Sequence, residues 1–118
     1  MTRDRRNFPR YRLKEGVLVT SRHVLGPVLN LGLGGMCFEY FDGEHLDKET
    51  LNLGIFFGQE QLLLTDIRSA TVYDITLEQT EGFLPLRRKR RAIRFLDLTP
   101  GQRQAIRNLL SAHTMGPA

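Results

Sequence analysis

The sequence predicts a mostly all-β protein: a small antiparallel six-stranded barrel closed by one C-terminal α-helix. Three observations carry this. Short stretches of alternating apolar and polar residues recur along the chain, the period-2 signature of half-buried strands. Turn signals built from Gly, Pro, Ser, Asn and Asp separate them. A helix-start signature followed by helical spacing occurs once, near the C-terminus. The chain has 118 residues, which fits one domain. Many short strands with one helix point to a barrel rather than to alternating βα units.

The elements follow in order. Residues 1–10 are highly charged and poor in apolar side chains, so they read as a basic N-terminal arm. Residues 11–113 read as the barrel domain with its helix. From Tyr11 to Thr20, Tyr11, Leu13, Val17 and Val19 share one face, and Arg12, Lys14 and Thr20 the other. Ser21-Arg22-His23 reads as a turn. Val24 to Leu29 forms a second strand whose Gly26-Pro27 marks an edge or a bulge. Asn30 to Gly35 holds three glycines and reads as a turn that needs unusual dihedrals or close backbone approach. Met36 to Phe41 resumes as a strand with Met36, Phe38 and Tyr40 on one face. Asp42 to Thr50 is an acidic loop. Leu51 to Phe57, Leu62 to Thr65, Ser69 to Leu77 and Ala92 to Leu98 are further strands, the last directing Ile93 and Phe95 to the core. Thr99-Pro100-Gly101-Gln102 then opens the helix, with Thr at the N-cap and Gln at the third position. Ile106, Leu109, Leu110 and His113 repeat at helical spacing, and Gly116-Pro117-Ala118 reads as a frayed end.

Composition narrows the function classes. The formal net charge is +4, and it is segregated. Residues 1–14 carry a net +5, the run Arg87 to Arg91 another +5, and residues 39–50 a net −4. Blocks of this kind suggest an anion-binding face. No apolar run approaches the ~20 residues of a membrane span, and no apolar region follows the charged N-terminus as a secretory signal requires. The single cysteine, Cys37, fits a reducing compartment. A cytoplasmic protein with no membrane span is therefore expected. No catalytic or metal site is legible. His23, His45 and His113 are scattered, Cys37 sits between packing residues Met36 and Phe38, and there is no phosphate-binding P-loop or nucleophile elbow.

Two short motifs remain. Arg6-Asn7-Phe8-Pro9-Arg10 is an R-x-x-x-R placed before the first strand, preceded by Arg5. Asn30-Leu31-Gly32-Leu33-Gly34-Gly35 lies between the second and third strands. Together with Ala92-Ile93-Arg94-Phe95-Leu96-Asp97-Leu98-Thr99 and the helix after it, these resemble PilZ domains, whose loop reads [D/N]-x-S-x-x-G. The resemblance spans about Arg5 to Leu110 and implies a receptor for cyclic di-GMP. By position, Arg6 and Arg10 would contact phosphates and guanine faces, with Arg5 beside them. Asn30 would read a guanine edge, and Gly35 would let the backbone approach. The residue types suit that ligand. An Arg fork pairs bidentately with phosphate and its flat face stacks on purines. An Asn amide offers both donor and acceptor.

Gly32 departs from the pattern, because the family has Ser there. Losing one hydroxyl costs about 0.5–1.5 kcal/mol, up to roughly tenfold in affinity. A Gly32→Ser substitution is thus expected to strengthen binding, provided φ at this position is negative. Three functions stay open: a cyclic di-GMP receptor or adaptor acting on a downstream protein partner, a degenerate protein-interaction module that binds no nucleotide, and a nucleic-acid-binding barrel. The last is weakened by the lack of an aromatic row beside the basic blocks. The run Arg87 to Arg91 could line the ligand site, meet an acidic partner or be an exposed hairpin; the hairpin is the expected reading.

Overall fold

A computed structural model of the chain describes residues 9–14, 16–22, 24–41, 50–82 and 86–117. The acidic loop expected over Asp42 to Thr50 lies outside them except for Thr50, as do Arg5, Arg6, His23 and His45. Eight strands occur among the described residues: β1 (Arg10–Leu13), β2 (Val17–Thr20), β3 (Val24–Gly32), β4 (Gly35–Phe41), β5 (Thr50–Phe57), β6 (Leu62–Gln79), β7 (Arg87–Phe95) and β8 (Thr114–Pro117). One helix, α1 (Pro100–His113), precedes β8.

Six of the strands close a ring in the order β2-β5-β6-β7-β4-β3, with β2 pairing back onto β3, and every pairing is antiparallel. The expected six-stranded barrel with a C-terminal helix is the observed architecture. Strand β3 is long enough to serve two neighbours on one edge. Its first half pairs with β2, and Asn30, Leu31 and Gly32 pair with Arg12, Tyr11 and Arg10 of β1. The stretch from Tyr11 to Thr20 therefore keeps its alternation but breaks around Gly16, whose φ of +102° suits glycine. Leu13, Val17 and Val19 are buried as the alternation requires.

Pro27 sits inside the ring, paired with Leu18, so it does not mark an edge. Register shifts flank it on both sides, between Val19 and Thr20 against β2 and between Val28 and Asn30 against β4. Bulges of this kind release the ladder where proline has no N–H to give.

Strand β3 runs past the expected Leu29 to Gly32, and three further boundaries differ from the sequence expectation. First, Leu62 to Thr65 and Ser69 to Leu77 are one 18-residue strand. The apparent break is a bulge: Leu53 faces Ile67 and Ile55 faces Leu64, and Asp66 takes a left-handed φ of 55°. Second, the last barrel strand runs from Arg87 rather than Ala92 and ends at Phe95, so the basic run is the returning arm of the β6–β7 hairpin, with Arg87 opposite Gln79. Third, residues 114–117 are not frayed. They pair with the outer edge of β1, Leu13 against Thr114 and Tyr11 against Pro117.

The helix begins as expected. Thr99 and Gln102 form a complete capping box, and Pro100 stands in the first turn. Ile106 and Leu109 are buried in the core with Phe38, Ile55, Phe57 and Ile93. Gln102 also donates from Nε2 to the Thr65 carbonyl at 2.9 Å, tying the start of α1 to the bulge in β6. The helix is thereby fixed against β1, β3, β6 and β8, where it borders the barrel wall formed by β3, β4, β7 and β6.

Candidate functional site

That wall carries a groove of about 750 Å³, and its floor is one row of the sheet. Asn30 on β3 is opposite Cys37 on β4, Cys37 is opposite Ala92 on β7, and Ala92 is opposite Tyr73 on β6. Directly paired residues share a face of the sheet. Their neighbours Leu31, Met36 and Ile93 are completely buried on the opposite face, inside the barrel, so this row faces outward. Small residues in the middle, Cys37 and Ala92, leave a depression between Asn30 and Tyr73.

The edges of the groove are cationic. Arg10 comes from β1, Arg94 from β7, and Arg103 and Arg107 from α1. Asp97 is the one carboxylate in the lining among the described residues. Apolar contacts come from Leu33, Val72, Phe95 and Leu98. Such a site, with positive charge and hydrogen-bonding groups around flat apolar surface, suits an anion with planar rings.

Arg10 is held in place. Its Nη2 donates to the Ile93 carbonyl at 3.1 Å. That position requires Gly35. A Cβ at residue 35 would fall on the Ile93 carbonyl oxygen and within 2.8 Å of Arg10 Nη2. The Gly35 of the loop motif and the Arg10 of the arm motif are therefore one packing unit, and the close approach at Gly35 is by β7 and by the guanidinium.

Asn30 presents its side chain at the other end of the row. Its Oδ1 is buried with no hydrogen-bond partner among the described residues. A buried acceptor left unmade costs about 1–3 kcal/mol, so this amide is poised for a donor that the chain does not supply. Between them, the Tyr73 hydroxyl lies 3.7 Å from Cys37 Sγ. Burial, then the Cys37 contact, raises the Tyr73 pKa, so its phenol is protonated at neutral pH and available as a donor.

Of the residues singled out from sequence, the structure brings Arg10 and Asn30 into one groove, with Gly35 beneath Arg10. Gly32 does not line it. Gly32 is the last residue of β3, paired with Arg10, and its φ is outside the left-handed region. The condition on φ is met, but the space is not there. A Cβ would fall on the Pro9 carbonyl oxygen, with Arg10 Cα 3.4 Å away. The expectation that serine here would improve binding is therefore corrected. Nor are the loop's dihedrals unusual, since none of Gly32, Gly34 and Gly35 has positive φ. Close approach is what Gly32 and Gly35 provide.

Sequence reasoning missed Tyr73, Arg94, Arg103 and Arg107. A signal for the last two existed, since they are four residues apart on a helix and fall on one face.

The basic run also proves to be something else. Within β7 its charges divide between the two faces. Arg88 and Arg90 point outward and bracket Glu39 at 3.1 and 3.0 Å, and Arg88 also meets Glu78 at 3.2 Å. Lys89 and Arg91 turn inward onto Asp74, at 3.3 and 2.7 Å. Arg91 is 3% exposed and lies 5.4 Å from the centre of the Tyr40 ring. The Tyr40 hydroxyl donates to the same Asp74 oxygen at 2.6 Å. Four cations of the run, Arg88 to Arg91, are thus matched to acids on the flanking strands, so the run is one arm of the expected hairpin, β6–β7, but a paired arm rather than a merely solvated one.

Among the described residues no group of His, Cys, Asp and Glu could hold a metal ion, and no helix is long and apolar enough to cross a membrane. No protein-family model and no curated protein sequence matches the chain. Two solved structures match its fold. The PilZ domain of YcgR from Escherichia coli, determined with cyclic di-GMP, superposes with a TM-score of 0.63 at 16% identity, over 92% of this chain and 91% of that one. MrkH, described as a cyclic di-GMP-dependent transcription regulatory factor, superposes with a TM-score of 0.67 at 16% identity. That match covers 91% of this chain and 50% of MrkH, so the present chain spans half of that protein's length.

Proposed function

With a PilZ-like barrel as the premise, we propose that this chain is a cyclic di-GMP-binding receptor or adaptor domain of a bacterial cytoplasmic signalling system, not an enzyme, and that it passes the signal to a downstream protein partner. The observation that carries the reading is the convergence of Arg10, Asn30, Arg94 and Tyr73 on one outward groove. Cyclic di-GMP presents two phosphates and two flat, hydrogen-bonding bases. Arginines answer the phosphates and purine faces, and the unpaired Asn30 Oδ1 is an acceptor for a guanine N–H. Arg5 and Arg6, upstream of Arg10, would add charge to the same face. Calorimetric titration tests this. Cyclic di-GMP is expected to bind in the micromolar range or tighter, about −8 kcal/mol or better, and GMP and a short DNA far more weakly.

Arg10→Ala is expected to weaken cyclic di-GMP binding by about tenfold or more, the worth of a charge-assisted hydrogen bond. It also removes the bond to the Ile93 carbonyl, so the free protein should melt a few degrees lower. Arg10→Lys separates the two effects. It keeps the charge and loses the fork, so binding should stay weak even where melting recovers. Unchanged binding in both variants would remove Arg10 from the site.

A second reading, a PilZ-like interaction module that binds no nucleotide, is favoured by one observation. The position of the family's serine is Gly32, and β1 leaves no room for a hydroxyl there. A flat cyclic di-GMP titration at high protein concentration selects it. Nucleic-acid binding loses its main support, because Arg88, Arg90 and Arg91 are already paired with acids.

A further inference from the structure

The arm and loop motifs account for one side of the groove. The other side is α1, which carries Arg103 and Arg107 one helical turn apart, and Arg94 of β7 lines the same groove. Two observations set these three apart from the other arginines of the wall. The first is that Arg94, Arg103 and Arg107 make no side-chain hydrogen bond or ion pair among the described residues, whereas Arg88, Arg90 and Arg91 are all matched to Glu39, Glu78 or Asp74. The acid in the lining does not compensate them, since Asp97 is nine-tenths exposed and its nearest cation is Arg68, at 3.9 Å. The second is rigidity. The capping box, the bond from Gln102 to Thr65, and the burial of Ile106 and Leu109 fix the helix that presents Arg103 and Arg107. Uncompensated like charges held together on a fixed element repel one another until an anion arrives.

We propose that α1 is a second anion-binding jaw. Arg103 and Arg107, with Arg94, hold one phosphate of a ligand whose other phosphate lies with Arg10. The site then selects molecules with two separated anionic groups over mononucleotides. This deepens the nucleotide reading and rests on it for the identity of the ligand, but the jaw itself stands on the arginines alone. Arg103 and Arg107 are exposed, so Arg103→Ala with Arg107→Ala should leave the melting temperature of the free protein unchanged within a few degrees.

Two measurements test the double variant against the unmodified chain: calorimetry with cyclic di-GMP and with GMP, and thermal shift with inorganic pyrophosphate. The variant is expected to lose about tenfold or more in affinity for cyclic di-GMP and less than about threefold for GMP, and to lose any pyrophosphate-induced rise in melting temperature. If the variant keeps both responses, the jaw is wrong. If the unmodified chain responds to pyrophosphate through these arginines but ignores cyclic di-GMP, the jaw stands and the nucleotide reading falls. If the unmodified chain responds to neither probe, the jaw falls too.

Discussion

Replacing Asp74 with Ala is expected to destabilise the fold by about 3–5 kcal/mol, the cost of leaving a buried charge without its partner. The Asp74 carboxylate accepts from Arg91 at 2.7 Å and from Tyr40 at 2.6 Å, with Lys89 at 3.3 Å, all through one oxygen. Remove it, and Arg91, whose side chain is 4% exposed, is stranded inside the barrel. Denaturant unfolding of Asp74→Ala and of Asp74→Ala with Arg91→Met separates this cause from simple loss of packing. The double variant removes the stranded charge and should recover part of the stability. A double variant less stable than Asp74→Ala would show that Arg91 stabilises the barrel by packing on Tyr40 rather than by its charge.

The same cluster sets an acid limit. Burial pushes the Asp74 carboxyl up, but the hydrogen bonds from Tyr40 and Arg91 and the Arg91 charge outweigh it, so its pKa lies below the ordinary 3.8. A carboxyl depressed on folding contributes stability that is fully present above its unfolded value and lost as pH falls through the folded one. The unmodified chain should therefore lose this contribution below pH 3.8, and Asp74→Ala should have a flatter stability profile there. Burial, and then the bond to Asp74, pushes the Tyr40 hydroxyl up, so it stays a donor throughout that window.

What was legible in the sequence was what is local. Thr99, Pro100 and Gln102 specify the helix start within four residues, and Ile106 and Leu109 fix its buried face. Alternation fixed which of Leu13, Val17, Val19, Met36 and Phe38 point inward. What was not legible depends on residues distant in the chain. The basic run reads as a solvated hairpin because nothing within it reveals that Glu39 and Asp74 lie on the strands to either side and pair with it. Gly116 and Pro117 read as frayed because the free edge of β1 that receives them is about a hundred residues away. The groove mixes both cases. Arg10 and Asn30 carry a motif, whereas Tyr73 and Arg94 enter only through the register of β6 and β7.

Gly32→Ser shows how far that register reaches. Sequence reasoning expects tighter nucleotide binding from a restored hydroxyl, and the observed fold reverses the sign. Gly32 is opposite Arg10, and a Cβ there would lie far inside van der Waals contact with the Pro9 carbonyl oxygen, with the Pro9 carbonyl carbon 3.2 Å away. The obstructing atoms are backbone, so no side-chain rotation relieves the contact, and β1 itself has to move away from β3. Overpacking of this kind costs typically 1–3 kcal/mol. The displacement is not neutral for the site, because Arg10 rides on β1 and its guanidinium is seated over Gly35 against the Ile93 carbonyl. Geometry lost at that seat costs charge-assisted contacts to a phosphate. The expected result is a lower melting temperature together with cyclic di-GMP binding weakened by about tenfold or more. Gly32→Ala is the informative companion. It has the same Cβ and no hydroxyl, so it should match serine in both measurements if crowding is the cause. A serine variant that melts like the unmodified chain and binds more tightly would mean that β1 yields at no cost, and that the hydroxyl missing at position 32 is what limits affinity.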